Sequence, residues 1–266
     1  MPDLLRLGRT AALRLATPID RIALYLAGKS GLPPLWLRRH AGAASRFESS
    51  ARQMAAFLDG LGVLEETDDV LDVGCGAGAM AGELARRLGP GRRYVGFDVH
   101  APSIGWCRKR FAADPSLSFE VAPVPSPYGS RSGEPATSYR LPMEDGRAGF
   151  ILAKSVFTHL LEPEARHYLA EIRRTLKPGR GAIVTAFLFD ATAPELDRVR
   201  RAFPFGDSAG CVRWRRRLRP EAAVAYERLF FFSLVEGAGL RVQWVSPGYF
   251  PGRQRLTGQD ILLLGL

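Results

Sequence analysis

The chain has 266 residues, 46% of them hydrophobic, so it is long enough to bury a full core. Its formal net charge of +10 would suit an anionic partner, but only four residues are lysines and the arginines are scattered, so charge alone identifies neither nucleic acid nor a membrane. Three cysteines without a C-x-x-C spacing argue against a disulfide framework and a zinc site, and no apolar run approaches the roughly 20 residues that span a bilayer. We therefore expect a cytoplasmic protein without a bound metal.

Residues 1 to about 66 are predicted to form an N-terminal helical cap. Apolar residues recur at helical spacing in two stretches separated by Pro33 and Pro34. The first stretch contains Ile19, Ile22, Ala23 and Leu26, and the second contains Phe47, Met54, Phe57 and Leu61. Such a cap can pack on a sheet, or its arginines beside an apolar face can rest weakly on a membrane surface.

A strand, a glycine-rich turn and a helix follow, beginning with the run VLDVGCGAG at 70–78. Val70 to Val73 are mostly apolar and β-favouring, which predicts a short strand buried on both faces. The turn holds three glycines and Cys75, and a helical pattern continues from Ala79 to Leu88. Glycines let the backbone approach a ligand closely beside the free amides of a helix N-terminus. The sequence therefore predicts a site for a nucleotide-type ligand.

Two carboxylates narrow the choice of ligand. Asp72 lies in the strand two residues before the first glycine, where a pyrophosphate gains nothing from a negative charge but a ligand with an ammonium group does. Asp98 ends the next apolar run, Tyr94 to Phe97, about 20 residues beyond the last glycine of the turn, which is the spacing at which an acid binds ribose hydroxyls. An ammonium group together with a ribose points to S-adenosylmethionine.

From about residue 68 to 190, strands and helices alternate, which predicts parallel strands joined by right-handed crossovers. Further strands are predicted at Leu117–Val121, Phe150–Ala153 and Ala182–Leu188, and further helices begin at Pro102 and Pro163. The stretch Pro123–Ser138 is predicted to be a long loop because it is rich in proline, glycine and serine.

Residues 191–219 are polar, basic and irregular, so they are predicted to be an insertion over the pocket. A helix from Pro220 to Val235 and two strands, Leu240–Val245 and Ile261–Leu264, complete the chain. The core would therefore extend from residue 67 to residue 266 and contain this insertion.

Several of these segments together resemble the motifs of class I S-adenosylmethionine-dependent methyltransferases, in particular a bacterial subgroup that methylates small molecules. They are VLDVGCGAG with Asp98 after it, DVHAPSIGWC at 98–107, SVFTHL at 155–160, LKPGRGAIVTAF at 176–187 and GQDILLLGL at the end. The resemblance covers about residues 45–266. It implies an α/β, Rossmann-like doubly wound sheet of about seven strands with an antiparallel terminal pair, and S-adenosyl-L-methionine as the cofactor.

The resemblance also implies which residues hold the cofactor. They are Asp72, Gly74, Cys75, Gly76, Gly78, Asp98, Val99, Met143, Ser155 and Phe157. Val99 and Met143 would neighbour the adenine, although core packing is an equal interpretation for both. Ser155 and Phe157 would line the reaction centre, and Cys75 would be a small filler in the turn.

His159 is the candidate catalytic residue. It follows the fourth strand, and an imidazole titrates near neutral pH, as a general base for a hydroxyl acceptor should. A histidine at this place can instead hydrogen-bond the backbone and shape the pocket, so both interpretations stay open.

The expected acceptor is a small molecule, methylated on a hydroxyl oxygen. The run AKSVF at 153–157 lacks the Asn/Asp-Pro-Pro-aromatic sequence of enzymes that methylate base amino groups, and it holds no cysteine nucleophile, so a nucleic acid acceptor is disfavoured despite the charge.

Two departures from the family pattern keep alternatives open. Pro123 stands where these enzymes commonly carry an acid that binds the adenine amino group, and Gly149 with Phe150 leaves no acid at the start of the fourth strand. A methyltransferase-like binding or regulatory module without turnover is therefore a second hypothesis. A nicotinamide oxidoreductase is a third, because Gly74, Gly76 and Ala79 also satisfy the relaxed dinucleotide pattern.

Overall fold

The computed structural model describes residues 11–40, 44–64, 69–88, 90–190, 207–215, 218–247 and 259–266. Its helices are α1 Thr17–Leu26, α2 Leu35–His40, α3 Phe47–Gly60, α4 Ala81–Ala85, α5 Ala101–Arg110, α6 Glu162–Thr175 and α7 Arg228–Gly237. Its strands are β1 Asp69–Val73, β2 Tyr94–Asp98, β3 Leu117–Val121, β4 Ala148–Ala153, β5 Leu176–Phe189, β6 Asp207–Ala209, β7 Val212–Trp214, β8 Val224–Glu227, β9 Arg241–Ser246 and β10 Asp260–Gly265. Within the described ranges, no helix is both long and apolar enough to cross a bilayer.

The strands form one sheet with β1 near its centre. Strands β1 to β5 are parallel in the order β3-β2-β1-β4-β5, and β10 then pairs antiparallel with both β5 and β9. The predicted doubly wound α/β sheet of about seven strands with an antiparallel terminal pair is therefore confirmed. The chain leaves β1 toward β2 on one side, and β4 lies on the other. This reversal opens a crevice at the carboxyl ends of β1 and β4, which is where ligands bind in such sheets.

Strands β6, β7 and β8 were not predicted, and they extend the sheet beyond the last residues of β5. The predicted helix from Pro220 to Val235 is wrong in its first part, where a 3-10 turn, Pro220–Ala222, precedes β8. The first three residues of β8 are fully buried between β5 and β7, and pairing on both sides outweighs the local helical spacing. Of the predicted insertion at 191–219, residues 191–206, 216 and 217 lie outside the described residues.

Helices cover both faces of the sheet. On one face α6 and α7 pack on residues such as Leu71, Val73 and Ile151. On the other face α3, α4 and α5 pack on their sequence neighbours Val70 and Leu152. Because successive strand residues point to opposite faces, each central strand contributes to both layers of the core.

The N-terminal cap consists of α1, α2 and α3. Helix α3 packs on the sheet through four fully buried residues, Ala51, Met54, Ala55 and Leu58. Helix α2 places Leu37 against Phe47 and Ala77, so the cap reaches the glycine-rich turn. The predicted helical spacing around Ile19 and Leu26 is confirmed by α1, but its apolar stripe faces solvent instead of the protein. The predicted domain boundary at residue 66 lies outside the described residues.

Candidate active site

The glycine-rich turn joins the carboxyl end of β1 to α4. Gly74, Gly76 and Gly78 have φ angles of 71°, 57° and 76°, a left-handed conformation that residues with a side chain rarely adopt. Space is also limiting at the first position, because a Cβ atom on Gly74 would lie 2.7 Å from a methyl carbon of Val156. The turn is longer than predicted, so the predicted helix from Ala79 to Leu88 is shortened to the single turn and a half of α4.

Asp98 ties this turn to the end of β2. Its Oδ2 accepts a hydrogen bond from the amide of Gly76 at 2.9 Å, and its Oδ1 accepts one from the amide of His100 at 2.8 Å. A carboxylate offers about four lone-pair positions, and this side chain is partly exposed. It therefore has capacity for two further donors, such as the hydroxyls of a ribose. Asp98, which is singled out by its spacing from the glycine-rich turn, thus contacts the turn directly.

Asp72 is buried at the end of β1. Its Oδ2 accepts a hydrogen bond from the hydroxyl of Tyr94 at 2.5 Å, and the residue is only 2% exposed. Burial raises the pKa of Asp72 to about 7, against the opposing effects of the Tyr94 hydrogen bond and the charge of Lys154. Near neutral pH this carboxyl is therefore divided between its two protonation states, and a cation that reaches it will favour the ionised one.

Lys154 is the second charged group at this point. It follows β4, whose residue Leu152 pairs with Asp72, so the amine and the carboxyl leave neighbouring strands on the same face. Burial lowers the pKa of Lys154, while the charge of Asp72 acts in the opposite sense. From the sequence, Asp72 had only a cationic ligand as a predicted partner. The structure adds two protein partners, one of them a cation.

The long loop after β3 folds back over the end of β2. A Cβ atom on Gly129 would lie 2.2 Å from the carbonyl oxygen of Val99, and one on Gly133 would lie 1.8 Å from the carbonyl oxygen of Pro123. These two glycines therefore allow contacts between backbones that any larger residue would prevent. The predicted loop thus covers Val99, one of the two predicted neighbours of the adenine.

Tyr128, from the same loop, meets His159, from the segment after β4. Their ring centroids are 4.9 Å apart at 66°, and the tyrosine hydroxyl lies 3.4 Å from Nδ1 of the histidine. The carbonyl oxygen of Glu221 lies 3.0 Å from the same Nδ1. Because a carbonyl oxygen can only accept, Nδ1 carries the proton in this contact, and Nε2 of the neutral ring is its proton-accepting nitrogen. This tautomer suits a base, and it equally suits a histidine that only orders the pocket.

Ser155 lies where β4 ends, with a φ of 61°. Its amide donates to Oγ1 of Thr185 at 2.7 Å, and its hydroxyl donates to Oε1 of Gln259 at 3.1 Å. The hydroxyl of Thr185 donates to the same oxygen of Gln259 at 2.6 Å. This network holds a serine in a backbone conformation that is costly outside glycine, and such strain concentrates at functional sites.

Three other predicted cofactor residues have buried positions. Phe157 is 0% exposed and packs edge-on against Phe231, with 5.6 Å between ring centroids. Met143 is 5% exposed within the core layer that α6 covers. Cys75 is 7% exposed, and burial raises the pKa of its thiol well above the usual value, in line with the predicted small filler. Contact of these three residues with a cofactor stays a prediction.

The unpredicted strands also shape the site. The amide of Val224 in β8 donates to the carbonyl of Thr158 at 2.8 Å, and the hydroxyl of Tyr226 donates to the carbonyl of Leu160 at 2.5 Å. Together with the contact from Glu221, these bonds fix the segment that carries His159. In the sequence, the only signal was the apolar, β-favouring run at 223–226.

A cavity of about 130 Å³ lies between the cap and helices α4 and α5. Its walls include Phe47, Ala77 and Trp106. It borders the outer side of the glycine-rich turn, and neither of the two predicted carboxylates lines it.

The chain is similar in sequence to known proteins. Residues 70–179 match a family model described as a methyltransferase domain. A 2-heptyl-1-hydroxyquinolin-4(1H)-one methyltransferase of Mycobacteroides abscessus is 35% identical over 133 residues, which is 48% of this chain and 50% of that protein. An uncharacterized 37.1 kDa protein in transposon TN4556 of Streptomyces fradiae is 30% identical over 112 residues, 42% of this chain and 28% of that protein. The matched region thus spans half or less of these curated relatives.

Solved structures share the fold. A SAM-dependent methyltransferase from Aquifex aeolicus has a TM-score of 0.52 and 17% sequence identity, and the match covers 88% of this chain and 98% of that one. At this identity the likeness shows the fold alone.

Proposed function

We propose that the protein transfers the methyl group of S-adenosyl-L-methionine to a hydroxyl oxygen of a small molecule, because residues 70–179 match a methyltransferase family model and the motifs resemble those of class I S-adenosylmethionine-dependent methyltransferases. The family predicted from the motifs is thereby confirmed, and S-adenosyl-L-methionine is its cofactor. The observation that carries the proposal is the position of Asp98, which holds the glycine-rich turn through the amide of Gly76 at 2.9 Å and retains lone pairs for a ribose.

The residues at the crevice fit this cofactor. Asp98 would accept hydrogen bonds from the ribose hydroxyls, and the turn at Gly76 leaves open space where a Cβ atom would stand. Asp72 is a buried carboxyl with a pKa raised to about 7 by burial, so an ammonium group would stabilise its ionised form. When bound, the cofactor supplies an electrophilic methyl group on a cationic sulfur. Alignment of donor and acceptor alone can lower the barrier by roughly 7–11 kcal/mol.

His159 would take the proton of an acceptor hydroxyl at Nε2. The carbonyl of Glu221 holds the Nδ1 proton at 3.0 Å, which fixes the tautomer with the accepting nitrogen on the other side of the ring. Tyr128 packs against the same ring and limits its rotation. A positioned base of this kind contributes about 10²- to 10⁴-fold to the rate.

A small molecule as the acceptor is supported by the mycobacterial relative, which is named for 2-heptyl-1-hydroxyquinolin-4(1H)-one, a ring compound with a hydroxyl group. The site is consistent with such an acceptor, since Tyr128 packs its ring against His159 and Val156 places a methyl group beside Gly74 of the turn.

The test is a transfer assay with the full chain, S-adenosyl-L-methionine and a panel of hydroxylated aromatic compounds that includes 2-heptyl-1-hydroxyquinolin-4(1H)-one. We expect methylated product by mass spectrometry for at least one member, and loss of product with Asp98→Ala. Calorimetry separates the alternatives: cofactor binding without transfer to the panel or to a bacterial metabolite extract would favour a binding module, and absence of cofactor binding would overturn the proposal.

A further inference from the structure

Helix α1 and the helical residues 11–15 before it have a polarity opposite to that of an ordinary surface helix. Their charged side chains make contacts with α2 and with the turn that precedes it. Asp20 accepts a hydrogen bond from a backbone amide of α2 at 2.8 Å and pairs with Arg38, and Arg21 donates to two backbone carbonyls of the following turn at 3.1 Å each. The guanidinium of Arg14 lies 4.6 Å from the ring centroid of Trp36. Polar groups therefore hold this helix on the protein.

The apolar side chains point to solvent. They are Leu15 at 82% exposed, Ile19 at 74%, Ile22 at 62%, Tyr25 at 74% and Leu26 at 79%. Leu24 is the buried apolar residue of α1. All exposed residues from 15 to 26 are uncharged, and four of the large ones follow a four-three-four spacing, which is the spacing of a seam between two paired helices.

This face is large for a monomer. Five side chains exposed to this degree present on the order of 600 Å² of apolar surface, which is the upper end of the range of about 300–600 Å² for the largest patch on a typical monomer. With the exposed Pro18 and Ala23 of the same face, the area approaches the roughly 800 Å² that each partner contributes to a standard interface.

We propose that this face, from Leu15 before α1 to Leu26 at its end, pairs with the same face of a second copy of the chain about a two-fold axis. In a two-fold interface each patch meets its own copy, so a charged patch would repel itself and an uncharged one does not. The chain as a whole has a net charge of +10, and the uncharged face lets two copies meet without like charges at the contact itself. An anionic bilayer attracts cations that lie beside an apolar face, and Arg21, the cation within Thr17–Leu26, is instead turned toward backbone carbonyls.

The pairing would act on the cap as a whole. The cap reaches the glycine-rich turn through the contact of Leu37 with Ala77, so two copies joined at α1 would brace each other's caps over the crevice. The inference does not depend on the reaction, and it can be tested without any cofactor.

Sedimentation velocity on the full chain tests the proposal. We expect wild type to be a dimer at tens of micromolar and Ile19→Glu/Ile22→Glu to be a monomer, with a dissociation constant raised by at least about 100-fold. Leu229→Glu is the matched control, because this leucine is 71% exposed on α7, away from the face, and its substitution should leave the dimer intact. Circular dichroism checks that the variants stay folded.

A mixing experiment identifies the partner as the same face. Ile19→Lys/Ile22→Lys should be a monomer alone and should form a mixed dimer with Ile19→Glu/Ile22→Glu, because opposite charges then meet across the seam. A monomeric wild type, or a dimer that survives the double substitution, would overturn the proposal. Flotation with phosphatidylglycerol vesicles tests a membrane surface as the alternative partner of this face. A monomeric wild type that floats with the vesicles would assign the face to a membrane.

Discussion

Tyr94 donates its hydroxyl proton to Asp72 at 2.5 Å across the neighbouring strands β2 and β1. Gly96 is the residue paired with Asp72, and it makes this contact possible. A Cβ atom on Gly96 would lie 2.9 Å from a ring carbon of Tyr94, so the ring occupies the space that any other residue would fill. A glycine within a strand is thus explained by the acid on the next strand.

Substitution Gly96→Ala should lower the free energy of unfolding by about 1–3 kcal/mol, because the added methyl group overfills a site bounded by Tyr94 and Cys75. Urea denaturation followed by circular dichroism measures this change. Gly105→Ala is the matched control: Gly105 lies within α5 with nothing within 4 Å of an added Cβ, so alanine should leave stability unchanged or raise it by up to about 1 kcal/mol. Equal effects of the two substitutions would contradict the packing argument.

Stability should depend on pH through Asp72. Burial raises its folded pKa to about 7, whereas an unfolded aspartate has a pKa of about 3.9. Between these two values the folded state holds a proton that the unfolded state has lost. The free energy of unfolding that depends on this group is therefore highest below about pH 4 and declines as the pH rises to about 7. Asp72→Asn removes this pH dependence, so between pH 4 and pH 7.5 the variant should gain up to about 4 kcal/mol in free energy of unfolding relative to wild type. Parallel denaturation midpoints across this range would argue against a raised pKa.

Cofactor analogues should separate the two roles of Asp72. Asp72→Asn should raise the dissociation constant of S-adenosylhomocysteine by about 10-fold or more, because one charge-assisted contact is lost. The dissociation constant of 5′-methylthioadenosine should stay unchanged, since only the first ligand has an ammonium group. Isothermal titration calorimetry at a pH near 7 measures both. A similar loss for both ligands would show that the acid acts only through Tyr94 and the shape of β1.

Asp98→Ala should raise the dissociation constant of S-adenosyl-L-methionine by about 100-fold, because it removes the proposed ribose contacts and the hydrogen bond that holds the amide of Gly76. Asp98→Asn retains one acceptor oxygen and should have a smaller effect. The two variants can be compared by calorimetry with S-adenosylhomocysteine as ligand. Unchanged affinity in both would remove the main support for the proposed function.

His159→Ala should lower kcat by about 10²- to 10⁴-fold and remove the acidic limb of the pH–rate profile, while cofactor affinity stays within twofold. Tyr128→Phe keeps the ring contact and loses only the hydroxyl 3.4 Å from Nδ1, so its effect should be much smaller. If His159→Ala leaves kcat and its pH dependence unchanged, the histidine orders the pocket and alignment of the reactants suffices.

Local patterns in the sequence predicted strands β1 to β5 and the terminal pair β9 and β10, the glycine-rich turn and the place of Asp98 beside it. Strand alternation, positive-φ glycines and the distance from a turn to the next strand end are all properties of short stretches, and local sterics enforce them wherever they occur. The resemblance to the methyltransferase family followed from the same stretches, because the motifs of that family are built on them.

Only the tertiary structure decided which side chains meet at the crevice. Tyr94 and Asp72 are 22 residues apart, Tyr128 and His159 are 31 apart, and His159 and Glu221 are 62 apart, so no local pattern encodes these contacts. Strand β8 replaced a predicted helix because its neighbours β5 and β7 pair with it on both sides. In α1 the helical spacing of the apolar residues predicted an apolar stripe. Whether such a stripe is buried depends on which other surface lies opposite it, and that is a property of the whole fold.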